Sequence, residues 1–178
     1  MLKQIVLITV SSLFPASVAL ASVKWDVGLG LESRVQSDVN PDFADFKTAP
    51  QLFTQVRMHP WAVLVEFGHE EGRTDSGGFS VDTQTVSLGA WGRYAFIEPE
   101  RWSPFVSAGL GGNFDRVVSR YGKAEDERRG TRLFAGTGGG VGVALWKVLL
   151  LEGEARAVLV QDRVMPLLTF SFRAGVRF

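Results

Sequence analysis

Leu168-Thr169-Phe170-Ser171-Phe172-Arg173-Ala174-Gly175-Val176-Arg177-Phe178 is the stretch whose pattern settles the fold class. Leu168, Phe170, Phe172, Ala174, Val176 and Phe178 alternate without a slip with Thr169, Ser171, Arg173, Gly175 and Arg177. Successive side chains of an extended chain point to opposite faces, so this is a strand with one greasy and one polar face. Its rings, the last at the strand tip, suit a closed sheet whose exterior meets lipid and whose rim carries an aromatic girdle.

The same period recurs upstream. Val23, Trp25, Val27, Leu29 and Leu31 alternate with Lys24, Asp26, Gly28, Gly30 and Glu32. Leu52, Thr54, Val56 and Met58 oppose Gln51, Phe53, Gln55 and Arg57; after His59-Pro60, Trp61, Val63, Val65 and Phe67 oppose Ala62, Leu64, Glu66 and Gly68. Pairing Met58 with Trp61 also pairs Val56 with Val63 and Leu52 with Phe67, a register that keeps both apolar faces together. Further strands run over about 81–96, about 104–114, up to Leu145, and from Leu149 to Leu159. Ser33 to Pro50, His69 to Phe79 and Asp115 to Gly130 break the alternation and read as long polar loops, with a last loop over Gln161 to Pro166. Glu98-Pro99-Glu100 and Trp146-Lys147-Val148 read as short turns. The sum is an all-β, closed antiparallel up-and-down transmembrane β-barrel of eight strands, with long connections at one end and short ones at the other. Trp61, Phe96, Trp146 and Phe178 are expected to form a girdle at the short-turn end.

Met1 to Ala21 reads as a cleaved export signal, with Lys3, an uncharged run from Gln4 through Leu13, and Ala19-Leu20-Ala21 as the cleavage site. The barrel domain is then 22–178, with both ends of its chain expected in the periplasm. Without Lys3 the balance is 18 basic to 19 acidic residues, no footing for nucleic acid. The chain has no cysteine, hence no disulfide or thiolate site. The longest uncharged stretch after the signal, Leu133 to Trp146, has 14 residues and five glycines, too short for a spanning helix.

A soluble lipocalin-like barrel would alternate as well, with its apolar face inward. Two features favour the opposite orientation. The polar faces are mostly Gly, Ser and Ala, unlike a solvated exterior rich in Lys and Glu. The few long charged side chains on those faces neutralise one another: a tight register between the last two strands sets Glu152 near Arg173, and Glu154 and Arg156 lie over inward glycines. Glu66, Glu152, Glu154, Arg156 and Arg173 are thus expected to fill the lumen of a tube just wide enough for its own side chains. A proton or ion path, or a catalytic carboxylate pair, is the competing use of that set.

A signal segment, eight amphipathic strands, Pro-Phe-Val-Ser-Ala-Gly-Leu-Gly-Gly at 104–112 and Phe-Ser-Phe-Arg-Ala-Gly-Val-Arg-Phe at 170–178 together resemble the small outer-membrane barrels of the OmpA transmembrane domain and OmpX type. The resemblance covers the whole barrel segment and implies localisation in the outer membrane. It also implies that Phe170, Phe172 and Phe178 are the signal read by the barrel-assembly machinery. No peptidoglycan-binding domain is expected after the barrel, unlike full-length OmpA.

Three surface features remain. Arg120, Lys123, Arg128, Arg129 and Arg132 suit phosphate recognition, with lipopolysaccharide as the expected lipid partner, although alternating charges there also fit a plain solvated loop. Asp38, Asp42 and Asp45 miss the spacing of a calcium loop, so no metal and no cofactor is expected. His69 with Ser76 or Ser80 resembles a lipid A deacylase only weakly, since neither His59 nor His69 opens a His-x-Ser element. The expectation is a monomeric, non-enzymatic barrel with a structural or surface-interaction role through its loops. A narrow channel for small solutes is the first alternative and a lipid A-modifying enzyme the second.

Overall fold

A computed structural model describes residues 23–36, 45–97, 102–121, 124–146, 148–163 and 165–178. The export signal, Asp38, Asp42, Glu98-Pro99-Glu100, Lys123 and Lys147 lie outside the described residues. Eight strands follow in chain order: β1 Lys24–Gln36, β2 Asp45–Met58, β3 Trp61–Ser76, β4 Phe79–Ala95, β5 Trp102–Tyr121, β6 Ala124–Leu145, β7 Leu149–Val160 and β8 Leu167–Arg177. Each pairs antiparallel with its sequence neighbour, and β1 closes on β8, giving a closed up-and-down barrel. Met58 pairs with Trp61, Val56 with Val63 and Leu52 with Phe67, the register expected from the pattern. Glu152 faces Arg173 across β7 and β8.

The strand pattern resolves into an inside-out molecule. Phe172 is 70% exposed and its neighbour Arg173 only 1%. Leu29, Leu52, Phe67, Leu88, Leu110 and Leu159 stand on the outer face with it. Eleven residues of β8 span ~35 Å, which at a ~40° tilt rises ~27 Å, the height of an outer-membrane apolar band. At the end where β1 begins and β8 finishes, the Trp25 N–H donates to the Phe178 carbonyl at 3.2 Å and the Phe178 N–H donates to the Trp25 carbonyl at 2.8 Å. Trp61, Phe96, Trp146 and Phe178 are all exposed at this near end, joined by Trp25 and Trp102. Tyr94 packs edge-on between Trp61, at 5.0 Å, and Phe96, at 5.5 Å.

Two expected loops at the far end are strands instead. His69 to Ser76 continues β3 and Phe79 opens β4 after the two-residue turn Gly77-Gly78, whose φ values of 55° and 85° match a type I′ hairpin. Asp115 to Tyr121 continues β5 and Ala124 to Gly130 opens β6. Both ends of the expected Ser33 to Pro50 loop are strand as well, because β1 runs to Gln36 and β2 starts at Asp45. Beyond the apolar band both faces of a strand meet water, so the alternation that marks a half-buried strand disappears while the pairing continues. The β3–β4 and β5–β6 hairpins pair through β4 and β5, Phe79 opposite Tyr121, and rise together as a four-stranded extension of the barrel wall. The connection over Gln161 to Pro166 lies between β7 and β8, where it was expected.

Candidate functional site: the charged lumen and the far-end extension

The lumen is built from small residues on β6 that admit large ones from its neighbours. A Cβ at Gly138 would stand 2.7 Å from the Arg156 side chain, and one at Gly140 would stand 2.7 Å from the Phe105 ring. A Cβ at either position would lie closer still to a backbone carbonyl oxygen of β7, that of Ala155 or of Gly153, so the strand contact and those side chains together require glycine. Leu64, wholly buried, joins Phe53, Trp91, Val158 and Val160 in an apolar layer inside the tube.

Beside that layer runs a closed network of ion pairs with Glu154 at its hub. Glu154 accepts from Arg93 at 2.6 Å, Arg156 at 2.7 Å, Arg173 at 2.8 Å and the Ser107 hydroxyl. Glu66 accepts from Arg156 at 2.6 Å and from Arg173 at 2.6 Å. Glu152 accepts from Arg93 at 2.7 Å and Arg57 at 2.9 Å, while Arg173 lies 3.9 Å away. Arg173 thus sits opposite Glu152 in register but spends its hydrogen bonds on Glu66 and Glu154. Towards the near end the chain of pairs passes from Arg57 to Asp26 and on to Arg177, 2.9 Å from Asp26. The five residues expected in the lumen are brought together here. Arg57, Arg93, Asp26 and Arg177 complete the network, and none was singled out in the sequence, although each stands on an inward-reading face. Asp26 meets Arg57 and Arg177 on the adjoining strands β2 and β8, but Arg93 on β4 meets Glu152 and Glu154 on β7 across the tube, as Arg57 on β2 does Glu152, and period two carries no information about that.

Every cation of this network is an arginine. A guanidinium stays protonated and offers five donors in a planar fork, so one side chain binds two or three carboxylates at once. Such a set fixes charge in place and is poorly suited to relaying protons, which requires groups that release them. Two rings cap it: the Arg156 guanidinium lies 3.9 Å over Trp91 and that of Arg93 lies 4.3 Å over Phe105.

The far-end basic residues are divided by the strand pairing. Arg120 and Arg129 point to the outer face, with Arg73 and Arg116, while Arg128 and Arg132 belong to the opposite face; Lys123 lies outside the described residues. Each described one has an acidic partner. Arg120 pairs with Asp82 and, at 3.0 Å, with Glu125; Arg128 with Asp126 at 3.0 Å; Arg129 with Glu127 at 2.8 Å; Arg132 with Asp115 at 2.7 Å. Arg116 also reaches Glu127, at 2.9 Å. Hydrogen bonds from Arg116 and Arg129 bring the Glu127 carboxyl down from its ordinary 4.5 to about 2. A hollow of about 390 Å³ on this extension is floored by buried Val118 and flanked by Glu71, Arg73, Asp82, Arg116 and Arg120.

His69 Nε2 donates to the Glu71 carboxylate at 3.1 Å on the exposed face of β3. Because β3 is extended, Ser76 lies seven residues and therefore ~23 Å along the strand. Ser80 pairs with Asp75, almost as far. His69 therefore forms no couple with Ser76 or Ser80, and no cluster of metal-ligating side chains occurs among the described residues. Phe170, Phe172 and Phe178 lie exposed on the outer face of β8 and at its tip.

No family model matches the chain, and no curated relative matches it. Solved structures do. A major outer membrane protein from Thermus thermophilus superposes with a TM-score of 0.67 at 15% identity, over 88% of this chain and all (100%) of that one. The attachment invasion locus protein Ail of Yersinia pestis, in complex with the heparin analogue sucrose octasulfate, gives 0.64 at 17% identity over 88% and 99%. Neisserial surface protein A gives 0.59 at 18% identity over 86% and 95%. The protein therefore has the fold of the small eight-stranded outer-membrane β-barrels.

Proposed function

We propose that the protein is a non-enzymatic, monomeric resident of the outer membrane. On this reading the segment Met1 to Ala21 exports it, the barrel anchors it, and the β3–β6 extension meets partners at the cell surface. The observation that carries the reading is the contrast between the two ends of the polar surface. The lumen charges are buried and paired with one another around Glu154, whereas those of the extension are exposed beyond the apolar band, at the height of lipopolysaccharide headgroups. Phosphates there would compete with Asp82, Glu125 and Glu127 for Arg120 and Arg129. Because exposed ion pairs contribute little, such exchange is cheap, and it is sensitive to salt.

A narrow solute channel is disfavoured by the same network, since a solute would have to part Arg93 from Glu152 and Glu154. Single-channel recording in planar bilayers tests this. The reading expects no discrete conductance steps from the folded protein; steps of defined size at low voltage would replace it with the channel reading. Loss of an acyl chain from lipid A on expression would replace it with the enzyme reading.

A further inference from the structure

We propose that the hollow on the outer face of the β3–β6 extension is a site for phosphate esters that carry an ammonium on a short arm, the chemistry of phosphoethanolamine, and that it discriminates against phosphates without the ammonium. The inference rests on the surface-binding reading above and deepens it by naming the ligand class.

The hollow, of about 390 Å³, falls in the size range of small-molecule sites, and its lining carries both signs of charge. Arg73, Arg116 and Arg120 stand around buried Val118 together with Glu71 and Asp82. Each guanidinium is anchored by a carboxylate outside the lining: Arg73 by Asp75 at 2.9 Å, Arg116 by Glu127 at 2.9 Å and Arg120 by Glu125 at 3.0 Å. With five donors apiece, they can hold those anchors and still bind an anion within. Asp82 is the carboxylate between two of them, paired with Arg120 and 3.8 Å from Arg73.

Exchange at Asp82 decides the ligand. A phosphate that draws Arg120 away leaves Asp82 without that partner and facing a second anion, at a site that Glu71 also lines. An ammonium on the same ligand takes the place that Arg120 gives up, so every charge ends the exchange beside an opposite one. Inorganic phosphate brings no such replacement. A lone ammonium meets the reverse difficulty, three guanidinia around two carboxylates. Val118 offers an apolar floor to the carbon arm between the two charged groups of the ligand.

Position favours a headgroup borne by a membrane lipid. Phe114 belongs to the apolar band on the outer face of β5; Arg116 lies two residues beyond it and Val118 four. At ~3.4 Å per residue and ~40° tilt they stand ~5 Å and ~10 Å above Phe114. The polar layer of a bilayer is about 5–7 Å deep on each side, so a headgroup phosphate reaches Arg116 and an arm extending from it reaches Asp82, which pairs with Val118. Because the hollow opens on the outer face of the wall, such a headgroup enters it sideways from the leaflet.

The test uses the full barrel folded in maltoside micelles, which carry neither phosphate nor ammonium. The amide signals of Val118 and Thr83, both at the hollow, are followed during titration with phosphoethanolamine, glycerol phosphate and inorganic phosphate. Saturating shifts are expected with phosphoethanolamine, at an affinity several-fold above that of the other two. Asp82→Asn is expected to lose this preference while still binding phosphate, and Thr74→Ala, on the opposite face of β3, to keep it. Heat-modifiable gel mobility checks that every variant is folded. Equal affinities for the three in the parent chain, or an unchanged preference in folded Asp82→Asn, would overturn the inference and leave phosphate binding by the extension standing. No shift with any of the three would overturn both. A second arm separates the sources by placing the barrel in phosphatidylglycerol nanodiscs with and without phosphatidylethanolamine. The same shifts on adding that lipid support a membrane-borne ligand; shifts with the soluble ester alone support the site and overturn the membrane source.

Discussion

At the scale of single residues, the molecule is governed by what each buried charge finds opposite it. Glu154 has four donors and almost no contact with solvent. Replacing such a pair by apolar packing can be neutral, but removing one member leaves the others charged and unpaired, at a cost of about 3–5 kcal/mol. Glu154→Gln keeps the volume and removes the charge among Arg93, Arg156 and Arg173. It is expected to lower the unfolding free energy by about that amount, read from urea titration in lipid vesicles; a midpoint equal to the parent's would contradict the hub role. Glu127 on the extension behaves differently, being exposed and held by Arg116 and Arg129. Its carboxyl is depressed from 4.5 to about 2, so its contribution is fully present above 4.5 and is lost as pH falls through about 2. Hydrogen exchange of the β5–β6 hairpin should rise across that window, and Glu127→Gln should show the higher exchange already at pH 6. A hairpin whose exchange is insensitive to both would refute the assignment.

At the scale of elements, legibility followed solvent. Where a strand has lipid on one side and packed side chains on the other, alternation is sharp: the β2–β3 register, Met58 opposite Trp61, could be written down residue by residue. In the extension the outer row Glu71, Arg73, Asp75 and the inner row Gly72, Thr74, Ser76 are alike polar, so the strands read as loops. The lumen was half legible. Facing could be read, since Arg93 and Arg57 fall on the Gly, Ser and Gln side, but pairing could not, because Arg93 meets Glu154 across 61 residues and the width of the tube. Phe53, Trp91 and Phe105 also point inward against the polar trend, each into space left by a glycine such as Gly175, Gly109 or Gly140. Strand β8 carries one more expectation. If Phe170, Phe172 and Phe178 are read by the assembly machinery, Phe178→Ala should lower the folded, heat-modifiable fraction in outer membranes while leaving refolding in detergent unchanged. Equal folded fractions in cells would remove that role.

At the scale of the whole molecule, everything rests on orientation: apolar side chains outward around the entire wall, arginines and glutamates shut inside. The absence of native cysteine makes this directly measurable, because any single cysteine is unique. Spin labels placed one at a time by Thr169→Cys, Phe170→Cys, Ser171→Cys and Phe172→Cys, in the protein folded into bilayers, report collision with lipid-soluble oxygen against a water-soluble nickel complex. The account predicts high oxygen and low nickel accessibility at 170 and 172, and little of either at 169 and 171. Labels at 169 and 171 that meet lipid, or labels at 170 and 172 shielded from it, would contradict the orientation and every functional reading built on it.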